Sequence, residues 1–198
     1  RESHLRRHNA YATLMAMGTV DGLKAAMPEL RTFVLSRAGS PGIQRYAANW
    51  MGDNCSRWDH LWMSIPMGTG FSISGQSFVG ADIGGFAEDT NEELFLRWIQ
   101  AGAFTPFARN HNQAGQVDQY VWSFGKDTLD ASRQALQTRY RLMPYIYSAF
   151  VEASETAAPI QRPVIFDYQT DEKARELDDQ YLFGSQLMIA PVLEPGAK

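Results

Sequence analysis

Between Leu5 and Leu23 apolar residues return at helical intervals: Tyr11, Leu14, Met15 and Gly18 fall at i, i+3, i+4 and i+7, with Arg6, Arg7 and Asp21 off the stripe. The first element is therefore predicted to be an amphipathic helix. After the break at Met27-Pro28, the β-branched and aromatic run Arg31-Thr32-Phe33-Val34-Leu35 predicts a short buried strand, and Tyr46 to Met51 predicts a second. Polar residues follow each run, at Ser36-Arg37-Ala38-Gly39 and at Gly52-Asp53-Asn54. Trp58, Leu61, Trp62 and Ile65 repeat the helical spacing, with Ser56 as N-cap and a kink or end near Pro66. A third strand, Phe78 to Phe86, runs into glycines, and Asn91-Glu92-Glu93 opens a helix carrying Leu94, Phe95, Trp98, Ile99 and Gly102. The stripes place Trp58, Trp62 and Trp98 in the core. Phe104 to Ala108 reads as a weaker fourth strand ending at Arg109-Asn110-His111. A long helical pattern from about Thr128 to Glu155 comes next, kinked at Pro144.

Four strands alternating with helices predict parallel βα units, and in such folds functional residues gather at the carboxyl ends of the strands. Past Pro159 the texture changes. Val164-Ile165-Phe166, Tyr181-Leu182-Phe183 and Leu187 to Ala190 are strand-like runs with no helix between them, the opening of a separate all-β unit. Four βα units are too few to close a (β/α)8 barrel, so the chain reads as a piece of a longer one.

Composition narrows the function. The 198 residues carry 18 Lys+Arg against 22 Asp+Glu, a net charge of −4, with no basic cluster that would neutralise a row of phosphates. The apolar runs are far shorter than the roughly 20 residues of a membrane-spanning helix. Neither nucleic acid nor membrane is expected as a partner. The single cysteine, Cys55, cannot form an internal disulfide. No H-E-x-x-H occurs, and His4 and His8 at i, i+4 lack a third ligand. The Gly80 to Gly85 segment lacks the Lys and Ser/Thr of a phosphate loop. No metal and no cofactor is expected.

What remains is a set of polar and aromatic residues at strand ends. Asp53 sits beside Trp50 and Gly52, where a partly apolar cleft would raise its pKa and suit it to donate a proton; it could equally cap the following helix. Asp82, flanked by glycines, either approaches a ligand or is a turn aspartate. Arg37 and Arg109 could orient carboxylates or be surface charges, and His111 could meet a ligand hydroxyl or be a satisfied loop histidine. Trp50 and Phe86 offer flat rings suited to the C–H faces of a sugar. Carboxylates, guanidinium, imidazole and exposed rings, without metal or phosphate loop, point to glycoside chemistry.

The stretches Phe33 to Gly39, Arg45 to Asn54, Ser64-Ile65-Pro66, Phe78 to Phe86, Phe107 to His111 and Arg139 to Tyr147 together resemble the retaining α-glucosidases and relatives of glycoside hydrolase family 31, in order and spacing over nearly the whole chain. The resemblance implies an α/β fold, the second half of a (β/α)8 TIM barrel over residues 1–158, followed over 159–198 by the start of a C-terminal β-sandwich domain. It implies that Asp53 is the general acid/base of a cofactor-independent enzyme and that an oligosaccharide or α-glucoside is the substrate. Arg37 and His111 would bind sugar hydroxyls, Trp50 and Phe86 would wall the pocket, and Asp82 would support the site by hydrogen bonds, Arg37 being its expected partner. The family's nucleophile, an aspartate in a W-x-D-M-N-E type motif, has no counterpart here and is expected upstream of Arg1. An α-xylosidase, a transglycosylase, an α-glucan lyase or a non-catalytic carbohydrate-binding fragment are the alternatives.

Overall fold

The computed structural model describes residues 3–197. Helices α1 (His4–Arg7) and α2 (Tyr11–Ala26), joined by a 3-10 turn, lead to β1 (Leu35–Ser36) and β2 (Ala48–Trp50). Helix α3 (Trp58–Ile73) follows, then β3 (Val79–Gly80) and β4 (Asp82–Ile83), which are one extended segment parted at Ala81. After α4 (Glu92–Gly102) comes β5 (Arg109–Asn110) and the helix pair α5 (Lys126–Arg141) and α6 (Met143–Thr156). Strands β6 (Gln161–Pro163), β7 (Tyr181–Phe183) and β8 (Leu187–Ile189) finish the chain as an antiparallel sheet.

The first five strands pair in parallel in the order β1-β2-β3 and β4-β5. The extended segment bonds β2 with its first half and β5 with its second, so the parallel strands follow one another in a single α/β layer. Alternation divides its faces. Val79 and Ile83 turn outward, Ile83 joining Leu61, Leu94, Phe95, Trp98 and Ile99 in a core shared with α3 and α4. Phe78 and Asp82 turn inward, toward Phe107 just ahead of β5 and Arg109 on β5. Gly80, between them, admits the Phe107 carbonyl, which would lie 1.9 Å from any Cβ there.

A second core, with Ile65, Ile146, Ile160, Tyr181 and Phe183, joins α3 and α6 to the antiparallel sheet. Across it Gln161 N–H donates to Ser72 Oγ at 3.2 Å and Tyr145 Oη donates to the Phe183 carbonyl at 2.6 Å.

Several expectations are corrected. Helix α3 does not end at Pro66 but continues past it to Ile73. Ser56 does not cap it, because its hydroxyl serves the Gly84 and Glu88 carbonyls, each at 2.9 Å. Trp62 is 39% exposed rather than core. On α2 the buried side is Ala16 and Val20, with Ala16 packing on Ile43 and Ala47, so the Tyr11, Leu14 and Met15 stripe is exposed. The fourth strand is Arg109–Asn110, displaced from 104–108 because residues 104–106 form a turn in which Pro106 has no N–H for a ladder. Val164–Phe166 is a 3-10 turn, and the strand lies just before it. The long helix is two: Pro144 cannot donate to the Tyr140 carbonyl, and the chain restarts with Pro144 in the first turn of α6.

Candidate active site

Parallel register brings the loops after β1, β2, β4 and β5 out at one end of the layer. Leu35 and Ser36 stand opposite Ala48 and Asn49, Trp50 opposite Gly80, and Asp82 opposite Arg109. Arg37 and Asp53 therefore leave neighbouring strands and meet, with Nη2 3.8 Å from Oδ2. Gly52 makes this approach possible. Its φ of +86° turns the chain sharply, and a Cβ there would lie 3.0 Å from Arg37 Nε. Both side chains remain about half exposed, at 61% and 49%, so the apolar enclosure expected around Asp53 is not supplied by the described residues.

Deeper in the same face Asp82 is 1% exposed and its Oδ1 accepts from Nε of Arg109 at 3.1 Å and from Nη2 of the same guanidinium. Its Oδ2 has no hydrogen-bond partner among the described residues. Burial pushes the Asp82 carboxyl above the ordinary carboxylate range; Arg109 and, further off, His111 oppose the shift, while Asp53 adds to it. The Arg109 guanidinium also lies over Trp50, 5.3 Å from the ring centroid, so strand-end aromatic and acid are tied through one cation. Phe86 and His111 stack at 5.4 Å with an interplanar angle of 26°.

The loops are fastened to one another by amides. Asn54 Nδ2 donates to the Asp82 carbonyl at 2.9 Å, and its Oδ1 accepts from Phe86 N–H at 3.0 Å. Gln119, in the loop after β5, donates from Nε2 to the Gly85 carbonyl at 2.9 Å, and Gln113 N–H donates to the Phe86 carbonyl at 2.8 Å. Among the described residues no three His, Cys, Asp or Glu side chains converge as metal ligands, and no helix is long and apolar enough to cross a membrane.

Residues 1–149 match the glycosyl hydrolases family 31 TIM-barrel domain, and residues 157–198 match the glycosyl hydrolase family 31 C-terminal domain. The chain belongs to glycoside hydrolase family 31. Alpha-glucosidase 2 of Bacillus thermoamyloliquefaciens is 45% identical over 194 residues, which are 98% of this chain and 25% of that protein. The family 31 alpha-glucosidase structure from Bacteroides thetaiotaomicron is 47% identical with a TM-score of 0.89, over 94% of this chain and 32% of that one. A family 31 alpha-xylosidase from a soil metagenome, complexed with xylose, is 32% identical with a TM-score of 0.86, over 93% of this chain and 31% of that one. The family 31 chain thus spans about a quarter of the length of the curated relatives it matches.

Within this family 31 chain the six residues expected from the sequence, Arg37, Trp50, Asp53, Asp82, Phe86 and His111, all lie at the carboxyl ends of the parallel strands. Their pairing differs from expectation at one point. Asp82 bonds Arg109 and not Arg37, because Asp82 and Arg109 are registered partners on adjacent strands whereas β1 lies two strands away. Arg109 was legible as a strand-end cation but had no assigned partner. The fastening roles of Asn54 and Gln119 went unread: Asn54 directly follows Asp53, while nothing local to Gln119 marks its reach to Gly85.

Proposed function

We propose that this chain carries the acid/base side of a retaining α-glycosidase site, with Asp53 as general acid/base and the terminal α-linked glucose of an oligosaccharide as substrate. The observation supporting it is the accessible Asp53 carboxylate beside Arg37, at the same strand ends as the Asp82–Arg109 pair and the Phe86–His111 stack. In the first step Asp53 gives its proton to the glycosidic oxygen as the bond from that oxygen to the anomeric carbon breaks and a nucleophilic carboxylate bonds that carbon. In the second, the Asp53 carboxylate takes a proton from the water that displaces the nucleophile. Arg37 and His111 would hold sugar hydroxyls, Trp50 and Phe86 would bound the pocket, and Asp82 would keep Arg109 in place. Asp82 is itself unsuited to attack, being buried and held by Arg109. The family resemblance implies a nucleophilic aspartate in a W-x-D-M-N-E type motif, which these 198 residues do not contain.

In the full-length protein Asp53→Asn should slow maltose hydrolysis by about 100- to 10,000-fold while sparing a glucosyl fluoride, whose leaving group needs little protonation. Maltose turnover at the wild-type rate in that variant would overturn the assignment. The α-xylosidase neighbour supports a second reading, but the relatives at 45% and 47% identity are α-glucosidases. Comparing kcat/KM for aryl α-glucoside and aryl α-xyloside separates them, with the glucoside expected to be preferred.

A further inference from the structure

The stretch Arg139 to Tyr147 belongs to the family-like sequence but contributes no group to the strand ends, and its first residue has an unusual set of partners. Arg139, on α5, is half-buried and pairs with no carboxylate among the described residues. Its guanidinium donates instead to three carbonyls of the turn after α4: Nη1 to Ala103 at 2.9 Å and to Thr105 at 2.7 Å, and Nη2 to Pro106 at 3.2 Å. The carbonyl left over, that of Phe104, accepts from Tyr181 Oη at 2.9 Å. Four successive carbonyls are thus held by two side chains, one from α5 and one from β7 of the antiparallel sheet. Tyr181 is almost wholly buried, and its ring belongs to the second core.

That turn delivers β5. Directly after Pro106, the Phe107 N–H donates to the Val79 carbonyl at 3.1 Å, and the Phe107 carbonyl sits against Gly80. Two residues on is Arg109, the partner of Asp82, and two further is His111, stacked on Phe86. Carbonyls left without donors are costly where water is excluded, so the turn cannot slide along the sheet without losing several such bonds together. A planar fork with donors at fixed angles holds three carbonyls in one arrangement, which a lysine cannot reproduce.

We infer that Arg139 and Tyr181 are positioning residues that set β5 along the sheet and thereby fix Arg109 and His111 for sugar binding, so that the C-terminal sheet takes part in the geometry of the active site. The inference rests on the glycosidase reading above.

The test uses the full-length protein with Tyr181→Phe, Arg139→Lys and Arg139→Gln, each corrected for its active fraction by titration with a mechanism-based inhibitor. Arg139→Gln is expected to raise KM for maltose and Ki for a competitive monosaccharide in parallel, lowering kcat/KM about tenfold or more, as small displacements of a binding group do. Arg139→Lys should recover part of the loss, and Tyr181→Phe, which removes one oxygen and keeps the ring, should show a smaller shift of the same kind. Exchange of the Phe107 amide should quicken in all three. If melting temperature falls while KM, Ki and Phe107 exchange in the folded fraction stay at wild-type values, the two residues are merely structural and the inference is overturned. Should Arg139→Gln fail to fold, Tyr181→Phe decides by the same readings. Failure of the glycosidase reading is seen separately, as maltose turnover that survives Asp53→Asn; amide exchange then still reports whether β5 is held as inferred.

Discussion

Asp82 has almost no contact with water, and its partner Arg109 offsets only part of what burial does to the charged form. Because its pKa in the folded protein lies above the unfolded value, the folded state binds the proton more tightly. Its contribution to stability is therefore complete below the ordinary carboxylate range and is lost as pH rises through the raised value. In the full-length protein the difference in unfolding free energy between wild type and Asp82→Asn, taken from urea titrations at successive pH values, should fall as pH rises through that window. A difference that grows instead would mean that Arg109 outweighs burial. The placement of Asp82 at a strand end was readable from its glycines and the strand before it. Its partner was not, since Arg37 and Arg109 are both strand-end arginines and only register decides between them.

At the level of elements, α4 is the clearest case of local sequence fixing local structure. Asn91 Oδ1 accepts from the Leu94 N–H at 3.0 Å, Glu92 and Glu93 sit in the first turn, and Leu94, Phe95, Trp98 and Ile99 form one buried stripe. Asn91→Ala should lower the stability of the full-length protein by about 1 kcal/mol in urea unfolding, with Asn91→Ser nearly neutral. Helices were legible because their period repeats over three or more turns. The strands span only two or three residues each, too few for alternation to place their ends. β5 was misplaced for a further reason: the apolar content of Phe104 to Ala108 is spent on a turn whose carbonyls are held by distant side chains. Ser56 shows the same limit, a good capping residue diverted to the Gly84 and Glu88 carbonyls.

For the molecule as a whole, the inward face of the parallel layer lies open below the candidate site. Phe33, Phe78 and Phe107 contact one another there, yet Phe33 is 60% exposed, and β1 and β5 each have one unpaired edge among the described residues. Expressed by itself, the 198-residue chain should bind a hydrophobic dye while folded and associate with concentration. A dye-silent, monodisperse sample by light scattering would show that this face is closed by rearrangement. The overall architecture was readable from the alternation of strands and helices followed by strands alone, but the tie between its two parts was not, because Tyr181 reads in sequence as one more apolar strand residue. That tie limits how relatives can be recombined. A chimera that joins one protein's parallel layer to another's C-terminal sheet should show a raised KM whenever the donor lacks a hydroxyl at the place of Tyr181, and the lower KM should return when that one atom is restored.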